Sequence, residues 1–347
     1  MKIGVNVRVL QNIKTGIPYF VKHLYSKLVK IDKENQYIFF QPKKNSLIKS
    51  FLFDNLYVGK EIENSKVDIF HAPAHILPFF KRPGTKFVVT VHDLSFLVYP
   101  HHHSRIFNLY YKYFVGRSLI NADIIVADSY NTKKDIVRYY RVPQNKIKVI
   151  YLGVSDFFFS NIKRKRLIKD KYFLTLTTHP QRKNTLSILD AIKNNKKLLE
   201  YKLVIAGLIE EEQMAILKDR LHNFKLTNNI ILWGYATEKE LVSLYQHAEF
   251  FIYPSFYEGF GLPVLETMAC KCPVITSNNS SLVEITPDKT WLVDPRKPAD
   301  LVNKMVNLLN LSKIKRLELI NKNYIFSRKF TWHVTAKQYL DVFKKIV

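Results

Sequence analysis

A chain of 347 residues with 54 Lys and Arg against 29 Asp and Glu carries a formal net charge of +25. That length exceeds what one ordinary hydrophobic core fills, so two domains are expected, and 47% hydrophobic with 14% aromatic residues excludes disorder as the main state. No window reaches the roughly 18 apolar residues of a membrane-spanning helix, and the opening MKIGVNVRVL lacks the apolar stretch of a signal peptide. Only two cysteines occur, Cys270 and Cys272, too close for a good disulfide. A reducing, cytoplasmic setting follows. The His101, His102, His103 run reads as a solvated loop, so no metal and no cofactor is assigned.

In chain order, β-rich runs at 2–9, 37–41, 67–72, 86–91, 123–128 and 148–152 each end in a loop followed by helical periodicity. A second set stands at 173–178, 202–207, 229–234, 250–255, 273–276 and 291–294. Alternation of this kind predicts an α/β fold of two doubly wound, Rossmann-like domains with an interdomain cleft. The polar and basic stretch SNIKRKRLIKDK (160–171) reads as the hinge, giving domains 1–160 and 161–325. In the terminal segment 326–347, Trp332, Ala336, Tyr339 and Phe343 recur at spacings of three and four, the mark of an amphipathic helix.

Ligands of open parallel sheets bind beyond the carboxyl ends of the strands, which directs attention to the loops there. After the first run, Thr15 and Gly16 precede a helical period at Val21, Leu24, Tyr25 and Leu28. Gly16 lets backbone amides approach a phosphate at a helix start, and suits an ordinary turn equally well. The fourth run delivers His92 and Asp93 at its end, the histidine suited to hydrogen bonding with a sugar hydroxyl or to proton traffic. The first run of the second half leads into His179, Pro180, Gln181, Arg182 and Lys183, with Asn184 placed to cap the next helix. Arg182 and Lys183 form either a diphosphate clamp or a solvated basic turn.

The most informative segment is PSFYEGFGLPVLETMACKCPVIT (254–276). Glu258 lies in a glycine-rich loop with Gly259, Phe260 and Gly261, then Leu262 and Pro263 begin a helix that carries Glu266. Loop amides and the helix dipole favour an anion such as a diphosphate. Carboxylates beside an anion site make sense only if they accept hydrogen bonds from neutral hydroxyls, which assigns Glu258 to a transferred sugar and Glu266 to a ribose. Tyr235, after NIILWG, is placed to border a nucleobase.

With these residues in view, the chain resembles the retaining GT-B enzymes of glycosyltransferase family 4, in particular mannosyltransferase-like members of O-antigen and polysaccharide pathways. The resemblance rests on TGIPYF (15–20), TVHDLSFLVYP (90–100), ADIIVADSYNTKKDI (122–136), VIYLGV (149–154), PQRKN (180–184), PSFYEGFGLPVLETMACKCPVITS (254–277) and LVDP (292–295). It implies that Glu258 and Glu266 are the paired glutamates, Arg182 and Lys183 the diphosphate clamp, His92 the histidine near the transferred sugar and Gly16 the glycine near the β-phosphate. It implies further that the final helix crosses back to the N-terminal domain and that no divalent ion is needed; the chain contains no Asp-x-Asp. Thr177 and Thr178 depart from a usual Gly-Arg, Lys271 from glycine and Trp291 from a small residue.

The partners expected are a nucleotide-sugar donor, with GDP-mannose as the lead by resemblance, and a glycan or lipid-linked glycan acceptor. The basic aromatic segment SRIFNLYYKYFVGRSLI (104–120) suits either an anionic membrane surface or an ordinary helix that buries its aromatics. Nucleic acid is not expected as a partner, because binding it has no use for the Glu258 and Glu266 pair. The rival readings are a sugar-nucleotide epimerase or hydrolase of the same architecture and a basic nucleic-acid-binding protein, which the charge of +25 also suits.

Overall fold

The computed structural model describes residues 1–11, 16–42, 52–102, 104–160, 162–193 and 195–347. The chain divides into two units, one comprising Met1–Gly153 with Thr331–Val347 and the other Val154–Phe330. All twelve predicted β-runs form strands. In the first unit β1 (Lys2–Asn6), β2 (Gln36–Phe40), β3 (Ile69–Ala72), β4 (Lys86–Val91), β5 (Ile124–Ala127) and β6 (Ile147–Val149) make one sheet in the order β2-β1-β3-β4-β5-β6. Every pairing is parallel. The order reverses direction between β1 and β3, which is the switch point where α/β sheets open a crevice.

These strands read as near-continuous apolar runs because helices cover both faces of a parallel sheet. From Phe87 to Val91 every residue of β4 is buried. β1 ends earlier than the run 2–9 implies: the Arg8 amide donates to Asn6 Oδ1 (3.1 Å), and this Asx turn diverts the chain into the 3-10 turn Arg8–Gln11.

The last helix, Trp332–Ile346, belongs to this first unit. Thr331 caps it by accepting from the Val334 amide (3.3 Å). Its buried face carries Trp332, Ala336, Tyr339 and Phe343, the residues whose spacing marked it in the sequence. Phe20 on the helix Gly16–Ile31 packs against Trp332 and Tyr339 at centroid distances of 6.1 and 6.0 Å. A buried polar chain completes the seam: His71 hydrogen-bonds the Tyr25 hydroxyl through Nδ1 and Thr90 Oγ1 (2.8 Å) through Nε2, and Thr90 Oγ1 meets the Tyr339 hydroxyl (2.8 Å). Gly153 is fixed by this docking, since a Cβ there would lie 2.1 Å from the Trp332 nitrogen.

In the second unit β7 (Tyr172–Leu176), β8 (Lys202–Ala206), β9 (Ile230–Gly234), β10 (Phe251–Tyr253), β11 (Val274–Ser277) and β12 (Leu292–Val293) run parallel in the order β12-β11-β10-β7-β8-β9. This is the Rossmann order, with its switch point between β7 and β10. Pro254 ends β10 because it has no N–H to offer the ladder. The core gathers Phe173, Ile205, Ile252 and Ile275 from the strands, Phe250 from just before β10, and Ile188, Leu217, Leu301 and Met305 from the helices.

The segment 104–120 forms the helix Arg105–Asn121, capped by Ser104. It buries Val115, Ser118 and Leu119 near its end, while Ile106, Leu109 and Tyr113 stay 84%, 72% and 61% exposed.

Candidate active site

In the second unit three loops converge beyond the carboxyl ends of β7, β10 and β11. Backbone hydrogen bonds zip the first two together: the Phe256 amide donates to the Arg182 carbonyl (3.1 Å), and Ser255 Oγ donates to the same oxygen (3.3 Å). The third loop holds the second from the other side. Ser280 Oγ accepts from the Glu258 amide (3.1 Å), Ser281 Oγ donates to the carbonyls of Glu258 (2.8 Å) and Phe260 (2.9 Å), and Asn279 Nδ2 donates to the Phe256 carbonyl (2.9 Å). These bonds set the backbone around Glu258 before any ligand arrives.

Lys183 Nζ donates to both oxygens of Glu258 (2.6 and 2.8 Å) and to the Tyr253 hydroxyl (2.7 Å). Both members of the ion pair are nearly enclosed, with side-chain exposures of 11% and 10%. Burial works against the Glu258 carboxylate, but Lys183 and Arg182 outweigh it and hold its pKa below the usual range. Arg182 is tied into the same loops through Nη1, which donates to the Tyr257 carbonyl (3.3 Å), and through its amide, which donates to His179 Nδ1 (3.2 Å). Burial raises the Tyr253 phenol pKa well above its ordinary value, with Glu258 and Glu266 adding to the shift and Arg182 opposing it.

Gly261, at φ 101°, leads into the helix Leu262–Ala269, with Pro263 in its first turn. Only glycine fits there, because the conformation is left-handed and a Cβ would lie 2.7 Å from Leu282 Cδ2. Gly259 and Phe260 are buried and Leu262 is half-buried. Glu266 is buried on this helix with the Tyr245 hydroxyl at 3.4 Å, and burial followed by the charge of Glu238 pushes its pKa up to about 8. Tyr235 is exposed just past β9. Asn184 differs from the expected cap: it takes φ 55°, and its side chain accepts from Ser187 Oγ and donates to the Pro295 carbonyl (2.9 Å).

In the first unit His92 leaves the end of β4 and is gripped from both sides. Asp128 Oδ2 lies 2.6 Å from Nδ1 and the Pro73 carbonyl 2.8 Å from Nε2. A carbonyl only accepts, so Nε2 carries a proton; a second proton at Nδ1, shared with Asp128 Oδ2, makes the ring an imidazolium, and burial raises the Asp128 pKa as well, against the opposing charge of His92. Burial disfavours that charge, but Asp128, Pro73 and Asp93 outweigh it and raise the pKa above the histidine range. Phe20 lies edge-on to the ring at 4.8 Å. Gly16 opens the helix that carries Phe20, is exposed, and has open space where a Cβ would stand. Residues 12–15, with Thr15, lie outside the described residues, as does His103.

Sequence reading alone missed Asp128, Tyr253 and Pro73. Asp128 stood in the quoted segment 122–136, but its role needs the adjacency of β4 and β5, which only the strand order supplies.

Residues 20–156 match the family model Glycosyltransferase Family 4, and residues 158–326 match Glycosyl transferases group 1. O-antigen chain mannosyltransferase B of Escherichia coli is 27% identical over 80% of this chain and 74% of its own length. O-antigen chain mannosyltransferase RfbU of Salmonella typhimurium is 31% identical over 64% of this chain and 59% of its own. Among solved structures, that of Anabaena Alr3699/HepE in complex with UDP and glucose shares the fold with a TM-score of 0.76, at 14% identity, over 99% of this chain and all of that one. This chain therefore belongs to the glycosyltransferases, its first half of Glycosyltransferase Family 4 and its second half of Glycosyl transferases group 1.

Proposed function

We propose that this glycosyltransferase moves mannose from GDP-mannose to a glycan or lipid-linked glycan acceptor, with retention and without a metal ion. The observation that carries the reading is the Lys183–Glu258–Tyr253 cluster beside Arg182 at the switch point between β7 and β10. Arg182 and Lys183 meet the charge that grows on the departing diphosphate, the positioned electrostatics that carry most of the rate in such sites. Glu258 accepts from hydroxyls of the sugar and Glu266 from the ribose; Gly16, the amides of Gly259, Phe260, Gly261 and Leu262, and Tyr235 bound the rest of the nucleotide, and His92 stands near the sugar. Retention follows if the acceptor attacks on the face that the diphosphate vacates and the leaving phosphate takes its proton. Mannose and an O-antigen-like acceptor are chosen because two relatives bear those names.

The test is turnover in EDTA with GDP-mannose, UDP-glucose and UDP-N-acetylglucosamine, with the anomeric configuration of the product read by NMR. Transfer from GDP-mannose into an α-linkage supports the whole reading, and free mannose with no acceptor product replaces it with a hydrolase. Glu266 provides a second check. Its carboxyl, pushed up to about 8, is protonated at pH 7, whereas accepting two ribose hydroxyls requires the carboxylate. Binding of GDP at pH 7 then releases about one proton more in the wild type than in Glu266→Gln. Calorimetry in buffers of different ionisation enthalpy measures the difference, and equal release in the two proteins removes the ribose assignment.

We also propose that the helix Arg105–Asn121 meets an anionic membrane. Ile106, Leu109 and Tyr113 are exposed beside Arg105 and Lys112, and the apolar surface continues through Phe114 to Phe79, over which Arg117 sits at 4.4 Å. The net charge of +25 favours the same surface. Flotation with vesicles containing anionic lipid is expected to capture the protein at low salt. Ile106→Ser with Leu109→Ser abolishes that capture, and equal capture by neutral vesicles counts against the electrostatic part.

A further inference from the structure

Two buried histidines of the first unit, His71 on β3 and His75 in the loop after it, stand four positions apart and are treated differently by the fold. His71 is fully buried with both ring nitrogens satisfied, by the Tyr25 hydroxyl and Thr90 Oγ1. His75 is 8% exposed, and its Nδ1 is enclosed without a hydrogen-bond partner. Buried polar atoms are rarely left so, and each exception needs a cause.

The loop around His75 is held by several hydrogen bonds. The Pro73 carbonyl accepts from His92 Nε2 (2.8 Å), the His75 amide donates to the Thr90 carbonyl (3.1 Å) and the Leu77 amide to Ser118 Oγ (2.8 Å). Arg117 holds the carbonyls of Leu77 and Pro78. Within this fixed loop His75 takes φ 67°, a left-handed conformation that costs energy for a residue with a side chain. The outcome is a ring edge-on to His92 at 5.3 Å and to Tyr111 at 6.4 Å, beyond the carboxyl end of β3. Burial and the neighbouring His92 cation push its pKa down to about 3, so the ring is neutral, with one nitrogen donating and the other accepting. That pattern matches a sugar hydroxyl, which also both donates and accepts, and gives no charge with which to hold a phosphate.

We propose that His75 is a hydrogen-bonding contact for a hydroxyl of the acceptor sugar and sets where that hydroxyl stands. This assignment rests on the glycosyltransfer reading above, in which the cations of the second unit take the donor diphosphate and leave a neutral ring for the acceptor.

The experiment uses octyl α-mannoside as acceptor, with His75→Gly, which accepts the positive φ without strain, and His75→Asn, which tolerates it and restores a shorter polar group. In His75→Gly the acceptor KM and the direct affinity for octyl α-mannoside weaken about tenfold, the loss of one hydrogen bond to a buried group. GDP affinity and the thermal midpoint stay at wild-type values, and His75→Asn recovers part of the loss. Unchanged acceptor KM and binding in His75→Gly overturns the proposal and leaves glycosyl transfer standing. Octyl α-mannoside binding that weakens in His75→Gly without any turnover in the wild type keeps the His75 contact and defeats the transferase reading. A wild type that transfers to other acceptors through a KM indifferent to His75 also overturns it.

Discussion

Lys183→Ala is expected to lower kcat/KM by about two to three orders of magnitude, the range seen when one preorganised donor to a developing negative charge is removed. The same substitution strips Glu258 of the cation 2.6 Å from its carboxylate. Truncating one partner of a buried pair costs about 3–5 kcal/mol, mostly because a charge is left enclosed without compensation. Stability and activity are separable by a second variant. In Lys183→Met with Glu258→Gln no charge is left stranded, so most of the stability returns while transfer stays lost. Urea denaturation and initial rates on the three proteins decide the matter, and a Lys183→Ala enzyme with wild-type rates would remove the lysine from the site.

The pair also gives a pH signature. The folded-state pKa of Glu258 lies below its ordinary value, so its contribution to stability is present above the unfolded carboxylate pKa of about 4.3 and is lost as pH falls through the folded value. The Glu258→Gln protein loses less stability on acidification than the wild type.

Asp128→Ala is expected to be as damaging in the first unit, by about 3–5 kcal/mol, because it leaves the His92 imidazolium without its carboxylate. The sign of the pH dependence is opposite to that of Glu258. The folded pKa of His92 is raised, so the pair's stabilisation is full below the unfolded histidine pKa of about 6.5 and disappears as pH rises through the folded value. Urea midpoints measured between pH 6 and pH 9 fall for the wild type and stay flatter for Asp128→Ala. Identical slopes for the two proteins would mean that His92 is not charged in the fold.

The elements most legible in the sequence are those that bury both faces of a sheet. FVVTV of β4 and KLVIA of β8 read as strands because parallel strands enclosed by helices need apolar residues throughout. The terminal helix was legible from its period for the same reason. Ends were less so: β1 stops at Asn6 because a side chain, not a break in apolar pattern, turns the backbone. At the site, residue types and strand-end positions pointed to Arg182, Lys183, Glu258 and Glu266, but their relations did not. Lys183 and Glu258 are 75 positions apart, and their pairing depends on β7 lying beside β10. The left-handed backbone of His75 has no sequence mark, since histidine, though left-handed more often than most residues, is so in only a small share of its positions.

The return of residues 331–347 to the first unit orders events during synthesis. Val154–Phe330 is one continuous stretch and is complete as soon as it clears the ribosome, in keeping with domains folding as units on the emerging chain. The N-terminal sheet, although made first, waits for Trp332, Tyr339 and Phe343 to cover Phe20 and His71. A nascent chain stalled before residue 331 therefore presents a finished second unit and an uncovered first one, the species on which chaperones and proteases act.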